Sequence, residues 1–195
     1  MVKKAEVNRK TLETEFRVKL RLQGRGKYLI STGIGFLDHM LSQMAKHGRM
    51  DLSLSGKGDL EVDAHHSVED VGLSLGRAIR EALGKRQGIR RFGSARVPMM
   101  DALAEVALDL GGRSNLNFRA EFAPAPLGDM EPELIREFFW ALSSEAGMDL
   151  HIEVPYGSSG HHMAEAIFKA FGLAIKQASS KEPGRKDIPS TKGAL

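Results

Sequence analysis

His65-His66-Ser67-Val68-Glu69-Asp70 and His161-His162-Met163-Ala164-Glu165-Ala166 are two copies of one pattern, and each opens a run with helical apolar spacing. The copies lie 96 residues apart (161 minus 65). A strand-like segment precedes each, Met50-Asp51-Leu52-Ser53-Leu54 and Met148-Asp149-Leu150-His151-Ile152, displaced by 98 (148 minus 50). The chain therefore reads as two tandem, similar halves of α+β type, each presenting His-His-x-x-Glu at a helix start. We expect the first half over 1–92, the second over 93–180, and a C-terminal tail over 181–195.

This pattern suits metal binding. On a helix, residues three and four apart share a face, so Glu69 can join His66 or His65 on one ion, and Glu165 can join His162 or His161. Adjacent histidines diverge by about a third of a turn. Two neighbouring rings then rarely serve one ion, which points to two neighbouring ions. Each would be shared by the first histidine of one half and the second of the other. A single such cluster reads equally well as a helix cap with a satisfied histidine; duplication in register favours ligands.

Composition narrows the field. With 195 residues, 42% of them hydrophobic, the chain can bury a real core as one compact domain or two small halves. Cysteine is absent, which excludes disulfides, thiolate metal sites and cysteine nucleophiles, and makes a reducing cytoplasm the expected setting. No early segment joins a basic start to a long apolar run, and no stretch approaches the roughly 20 apolar residues of a membrane span. The net charge of +3 is small beside 28 basic and 25 acidic residues, and only 6% of residues are aromatic. Nucleic acid is a poor partner for such a surface, whereas a few cations aimed at a phosphate fit it. Six of the seven histidines fall in or beside the motifs described here, which supports ligands over scattered surface residues.

Along the chain, Ala5 to Gln23 alternates as one half-buried strand, with Phe16, Val18, Leu20 and Leu22 on one side, and Tyr28 to Ser31 begins another. Phe36 to His47 is a helix. His39 sits near its start as a candidate third ligand, with Asp38 placed to orient its ring. His47, followed by Gly48, reads as the structural end of that helix. Met50 to Ser55 is a strand, Gly56 to Asp59 a turn, and Leu60 to Val62 a short extended piece before the helix from His65 to about Leu83. Arg90, Arg91 and Arg96 read as a solvated basic loop at the seam. Ala102 to Leu110 is a strand with Asn117 to Phe122 as its hairpin partner, Glu133 to Ala146 an amphipathic helix, and Leu150 to Val154 the strand before the second His-His helix. In the polar tail, Ser190-Thr191-Lys192-Gly193 offers hydroxyl, amide and ammonium donors to a phosphate.

Taken together, the motifs form an ordered series: Arg9-x-Thr11-x-Glu13-Thr14, Thr32-Gly33-Ile34-Gly35-Phe36-Leu37-Asp38-His39, His65-His66-x-x-Glu69-Asp70, Arg91-Phe92-Gly93, Val97-Pro98-Met99, Asp109-Leu110-Gly111-Gly112-Arg113, Leu150-His151-Ile152, Gly160-His161-His162-x-x-Glu165, and Pro189-Ser190-Thr191-Lys192-Gly193. Over essentially its whole length the chain resembles the imidazoleglycerol-phosphate dehydratases of histidine biosynthesis. The resemblance implies that each half is a small sheet with two helices on one face, the ribosomal protein S5 domain 2-like fold. It also implies trimers gathered into an octahedral shell of twenty-four subunits with sites between subunits. By the same token, two Mn2+ per site would be held by His39, His65, His66, Glu69, His151, His161, His162 and Glu165. The phosphate would meet Gln43, Arg91, Lys169, Ser190 and Lys192, with Arg113 nearby, and Glu13 would face the substrate hydroxyls. Two departures stand out, Met100 where the family usually has an acidic residue and Gly111 where it usually has serine.

The implied reaction is metal-dependent loss of water from imidazoleglycerol phosphate to give imidazole acetol phosphate, through a di-metal-bound imidazolate and a diazafulvene-like intermediate. Glu13 is the acid-base candidate, because Glu69 and Glu165 are occupied as ligands. Histidine and carboxylate donors also accommodate zinc, iron or cobalt. The competing readings are a ferritin-like di-iron protein, which needs four long helices, a metal-assembled shell without catalysis, and a ribosomal-protein-like nucleic-acid binder.

Overall fold

A computed structural model of the chain describes residues 3–191. Lys192, expected at the phosphate, lies outside the described residues. The first half runs β1 (Lys4–Lys10), β2 (Thr14–Arg21), β3 (Tyr28–Ser31), α1 (Gly35–His47), β4 (Asp51–Gly58) and α2 (His65–Leu83). The second repeats that order as β5 (Phe92–Met99), β6 (Ala102–Asp109), β7 (Asn115–Arg119), α3 (Glu133–Ala146), β8 (Asp149–Tyr156) and α4 (Gly160–Ser179). Both sheets share one connectivity, β1-β2-β4-β3 and β5-β6-β8-β7. In each, three strands are antiparallel and the fourth runs parallel to its neighbour. The α+β class and the two similar halves are therefore as expected, and the eight strands among the described residues leave no place for the ferritin-like alternative.

The strands form because one side of each can be hidden. Along β2, Phe16, Val18 and Leu20 are buried while Glu15, Arg17 and Lys19 face outward, the period of two that a half-buried strand requires. Helix α2 covers β1 and β2, and α4 covers β5 and β6. Helices of opposite halves then pack together, α2 on α3 and α1 on α4, so that four helices form a layer between two sheets. The duplication extends to the contact points. Gly76 and Gly172 stand 96 apart (172 minus 76). A Cβ on Gly76 would lie 2.4 Å from the Leu142 carbonyl oxygen, and one on Gly172 would lie 2.5 Å from that of Met44. Only glycine lets these helices approach so closely. Phe138, Phe139, Phe168 and Phe171 fill the centre with ring centroids 4.9–5.4 Å apart. No described helix is long and apolar enough to cross a membrane.

Four expectations about the elements are corrected. Ala5 to Gln23 is a hairpin rather than one strand, because Thr11 Oγ1 accepts the amides of Glu13 and Thr14 at 3.1 and 3.0 Å and turns the chain. Gly56 to Gly58 continues β4, and the turn falls at Asp59–Val62, closed by the Val62 amide on the Asp59 carbonyl at 2.9 Å. The basic stretch after Arg91 is an edge strand, β5, paired along its length with β6. Finally, β7 is not the hairpin partner of β6; it lies parallel to β8, which separates the two.

Candidate active site

Packing of α1 against α4 brings together donors that are far apart in sequence. His39 lies near the start of α1, and α4 carries His161, Glu165 and Lys169 four residues apart on one face. Nε2 of His39 is 3.5 Å and Nε2 of His161 is 3.3 Å from Oε2 of Glu165. The other Glu165 oxygen receives Lys169 Nζ at 2.5 Å, and that ammonium also reaches Met99 Sδ at 3.4 Å. Burial raises the Glu165 pKa, but the hydrogen bond and charge of Lys169, followed by His39, hold it below the ordinary value. Phe36 meets the His161 ring edge-on at 5.4 Å between centroids and restricts its orientation. Asp129, from the second half, accepts the Gly35 and Phe36 amides at 2.6 and 2.9 Å and anchors the start of α1. Asp38 does not orient His39 as expected. It accepts the Thr32 amide and hydroxyl at 2.9 and 2.6 Å and fastens the turn into α1.

A second cluster forms at the start of α2 from Glu13, Asp59 and His66. His66 Nδ1 is 3.0 Å from Asp59 Oδ2 and 3.9 Å from Glu13 Oε2. The Asp59 hydrogen bond raises the His66 pKa above its ordinary value against slight desolvation, and the Glu13 charge adds to it. Glu13 occupies the exposed β1–β2 turn, and that turn is clamped. Asp70 of α2, only 6% exposed, accepts the Arg9 guanidinium at 2.8 Å and the Thr14 hydroxyl. The Arg9-x-Thr11-x-Glu13-Thr14 motif is thus a device for presenting one free carboxylate beside His66.

The third arrangement centres on Asp101, which sequence reading passed over as a site residue. Its Oδ1 lies 2.5 Å from His162 Nδ1, while Oδ2 accepts the Ser158 and Ser159 amides at 2.8 Å each and the Ser158 hydroxyl at 2.5 Å. The Ser158 hydroxyl first, then His162 and the two amides, hold this carboxyl far below the usual range. The repeat carries the overlooked signal, since Glu13 immediately precedes β2 and Asp101 immediately precedes β6.

The remaining expected ligands stand apart. His65 and Glu69 are exposed on α2, and among the described residues neither joins a cluster. His151 projects from β8 on the side opposite Leu150 and Ile152, with Nε2 3.2 Å from Asp149. Gln43 is half-buried one helical turn beyond His39. Arg91 grips Asp109 with two nitrogens at 2.6 and 2.8 Å and donates a third to the Pro189 carbonyl at 2.8 Å, which seats the tail residues just before Ser190 on the seam between halves. Arg113 is exposed in the loop after β6.

A β-β-β-α-β-α unit used twice, with histidine and carboxylate groups gathered at helix starts, defines a duplicated α+β protein with clustered metal-type donors at its helix termini. Residues 32–175 match the family model described as imidazoleglycerol-phosphate dehydratase. The imidazoleglycerol-phosphate dehydratase of Acetivibrio thermocellus is 53% identical over 195 residues, covering 100% of both chains. The crystal structure of the Pyrococcus furiosus enzyme superposes with a TM-score of 0.85 at 34% identity, covering 97% of this chain and 100% of that one. The Staphylococcus aureus enzyme gives 0.83 at 31%, covering 92% and 99%. The chain belongs to the imidazoleglycerol-phosphate dehydratase family and is a hydro-lyase.

Proposed function

We propose that the protein dehydrates imidazoleglycerol phosphate to imidazole acetol phosphate in histidine biosynthesis, using two divalent cations at a site shared between copies of the chain. One observation carries this reading: His39, His161 and Glu165 converge on one point, while His65, Glu69 and His151 face outward and join no cluster among the described residues. Two imidazole nitrogens and a carboxylate suit a divalent transition ion, with manganese favoured by the family resemblance. His39, His161 and Glu165 would hold one ion with His66 of a neighbouring copy. His65 and Glu69 would hold the other with His151 and His162 from elsewhere in the assembly. Trimers gathered into a twenty-four-subunit shell and a cytoplasmic setting belong to the same reading.

When bound, the cations would supply Lewis acidity to the imidazole ring, the chemistry that eases loss of the adjacent hydroxyl. Glu13 would give a proton to the departing hydroxyl, which leaves as water, and the resulting carboxylate would take the proton from the next carbon of the side chain, leaving an enol that becomes the ketone. Its exposed place on a clamped turn suits repeated loading and unloading of a proton. Lys169, Gln43, Arg91 and Ser190, with Arg113 and Lys192, would hold the phosphate at the far end, with the tail that begins at Lys181 closing on it. Binding energy gathered there positions the reacting carbons.

The test is an assay of water loss from imidazoleglycerol phosphate. Activity should vanish with chelator and return with Mn2+. Turnover that ignores the chelator, or none after manganese is restored, overturns the proposal; metal-driven assembly without turnover would favour the non-catalytic shell.

A further inference from the structure

We propose that Asp101 is a positioning residue that fixes the tautomer of His162, keeping the proton on Nδ1 so that Nε2 is the nitrogen left bare for a cation. The inference rests on the metal reading above, but its geometry is independent of that reading. Nδ1 of His162 faces Asp101 Oδ1 at 2.5 Å, and a carboxylate there can only accept. Nδ1 therefore carries the hydrogen, and Nε2 keeps its lone pair. The first half uses the same device, with Nδ1 of His66 3.0 Å from Asp59 Oδ2. In each pair it is the second histidine that a carboxylate holds through Nδ1. The first histidine of the second pair instead directs its Nε2 at Glu165.

The two oxygens of Asp101 have separate tasks. Oδ2 serves the loop before α4, accepting the Ser158 and Ser159 amides and the Ser158 hydroxyl, whereas Oδ1 serves His162. This division makes one substitution decisive. In Asp101→Asn, the two backbone amides can only donate, so the amide oxygen must take the Oδ2 place. The NH2 group is then forced against His162 Nδ1. Facing a donor, Nδ1 becomes an acceptor and the ring proton moves to Nε2, the tautomer that an asparagine imposes in place of a histidine-orienting aspartate. The loop keeps its hydrogen bonds while the lone pair needed by a cation is capped. The turn-borne carboxylate of the first half, Glu13, has no such lock, lying 3.9 Å from His66. One position in the repeat thus holds a fixed acceptor in one half and a free acid-base group in the other.

The experiment uses metal-free full-length protein labelled with 15N-histidine, read by NMR at about pH 8, where an ordinary imidazole is neutral. His162 of the wild type should carry its proton on Nδ1 and that of Asp101→Asn on Nε2. The thermal midpoint of Asp101→Asn should be little changed, and its affinity for Mn2+ should fall by roughly 10–100-fold. Ser158→Ala removes one hydroxyl from Oδ2 and leaves both amides, so it should bind Mn2+ like the wild type. A wild-type His162 protonated on Nε2, or wild-type affinity in Asp101→Asn, overturns the inference. Should Asp101→Asn fail to fold, the wild-type spectrum still decides. If the wild type binds no Mn2+, the metal reading falls, while the tautomer result continues to judge Asp101 separately.

Discussion

Replacing Lys169 by methionine keeps the unbranched stem, one atom shorter, and removes its charge, which isolates the ion pair at the centre of the α1–α4 cluster. The ammonium stands 2.5 Å from Glu165 Oε1, and the two side chains are 15% and 9% exposed. Removing one member of a buried pair typically costs about 3–5 kcal/mol, because a charge is left uncompensated. Here the nitrogens of His39 and His161 remain 3.5 and 3.3 Å from the other oxygen, so we expect a smaller loss, about 2–3 kcal/mol. The loss should depend on pH. In the wild type, Lys169 overcomes burial and holds Glu165 below its ordinary 4.5. This carboxylate therefore contributes stability that is present above the unfolded value and lost as pH falls through the lowered folded value. Without Lys169, burial prevails and Glu165 takes up its proton at higher pH. The gap between the two proteins should be full near pH 7 and narrow as pH falls through and below about 4.5. Urea unfolding of the metal-free proteins at equal subunit concentration measures it. Equal stability near pH 7, or a gap that persists unchanged in acid, would mean that Lys169 does not neutralise Glu165.

Glu13→Gln should fold normally and retain substrate affinity while kcat falls by about 100- to 10,000-fold, as expected for loss of a general acid-base group; unchanged turnover in a steady-state assay removes Glu13 from the mechanism. Gly172→Ala sets two effects against each other. Alanine favours a helix over glycine by about 1 kcal/mol, but its Cβ would sit 2.5 Å from the Met44 carbonyl oxygen, a backbone atom with little freedom to yield. Overpacking at about 1–3 kcal/mol should win, lowering the thermal midpoint by a few degrees. A higher midpoint contradicts the close α1–α4 contact.

Helices were the most legible part of the fold, since a buried face recurs every third or fourth residue and the histidine pairs mark two helix starts. The β1–β2 hairpin was hidden because alternation continues on both sides of Thr11–Glu13. Its mark is a change of parity, with Val7 buried at an odd position and Phe16, Val18 and Leu20 at even ones. Strand β5 shows only a weak stripe, in which Gly93, Ala95, Val97 and Met99 turn to the core between Ser94, Arg96 and Pro98; its edge position is defined by pairing with β6, a long-range property. The same limit applies to the site. Spacing places Glu165 beside His161 or His162, but the choice of His161, and the arrival of His39, follow from which helices touch at Gly172. Gln43, Arg113 and Ser190 carry no periodic signal, and only the family resemblance points to them. Asp101 sits beside the irregular Met100, which is exposed with φ 50°, and its role emerges only once β5 and β6 form a hairpin under α4.

On the proposed reading no single chain holds a complete site, and His161 and His66 act together only from different copies. It is tested by preparing His161→Ala and His66→Ala separately, each expected to be inactive, then mixing them in equal amounts, dissociating them and reassembling them with Mn2+. Random pairing across a repeated interface should give intact sites, and about a quarter of wild-type activity should return. A mixture as inactive as its parents would place both histidines in one chain's site and rule out a site shared between copies.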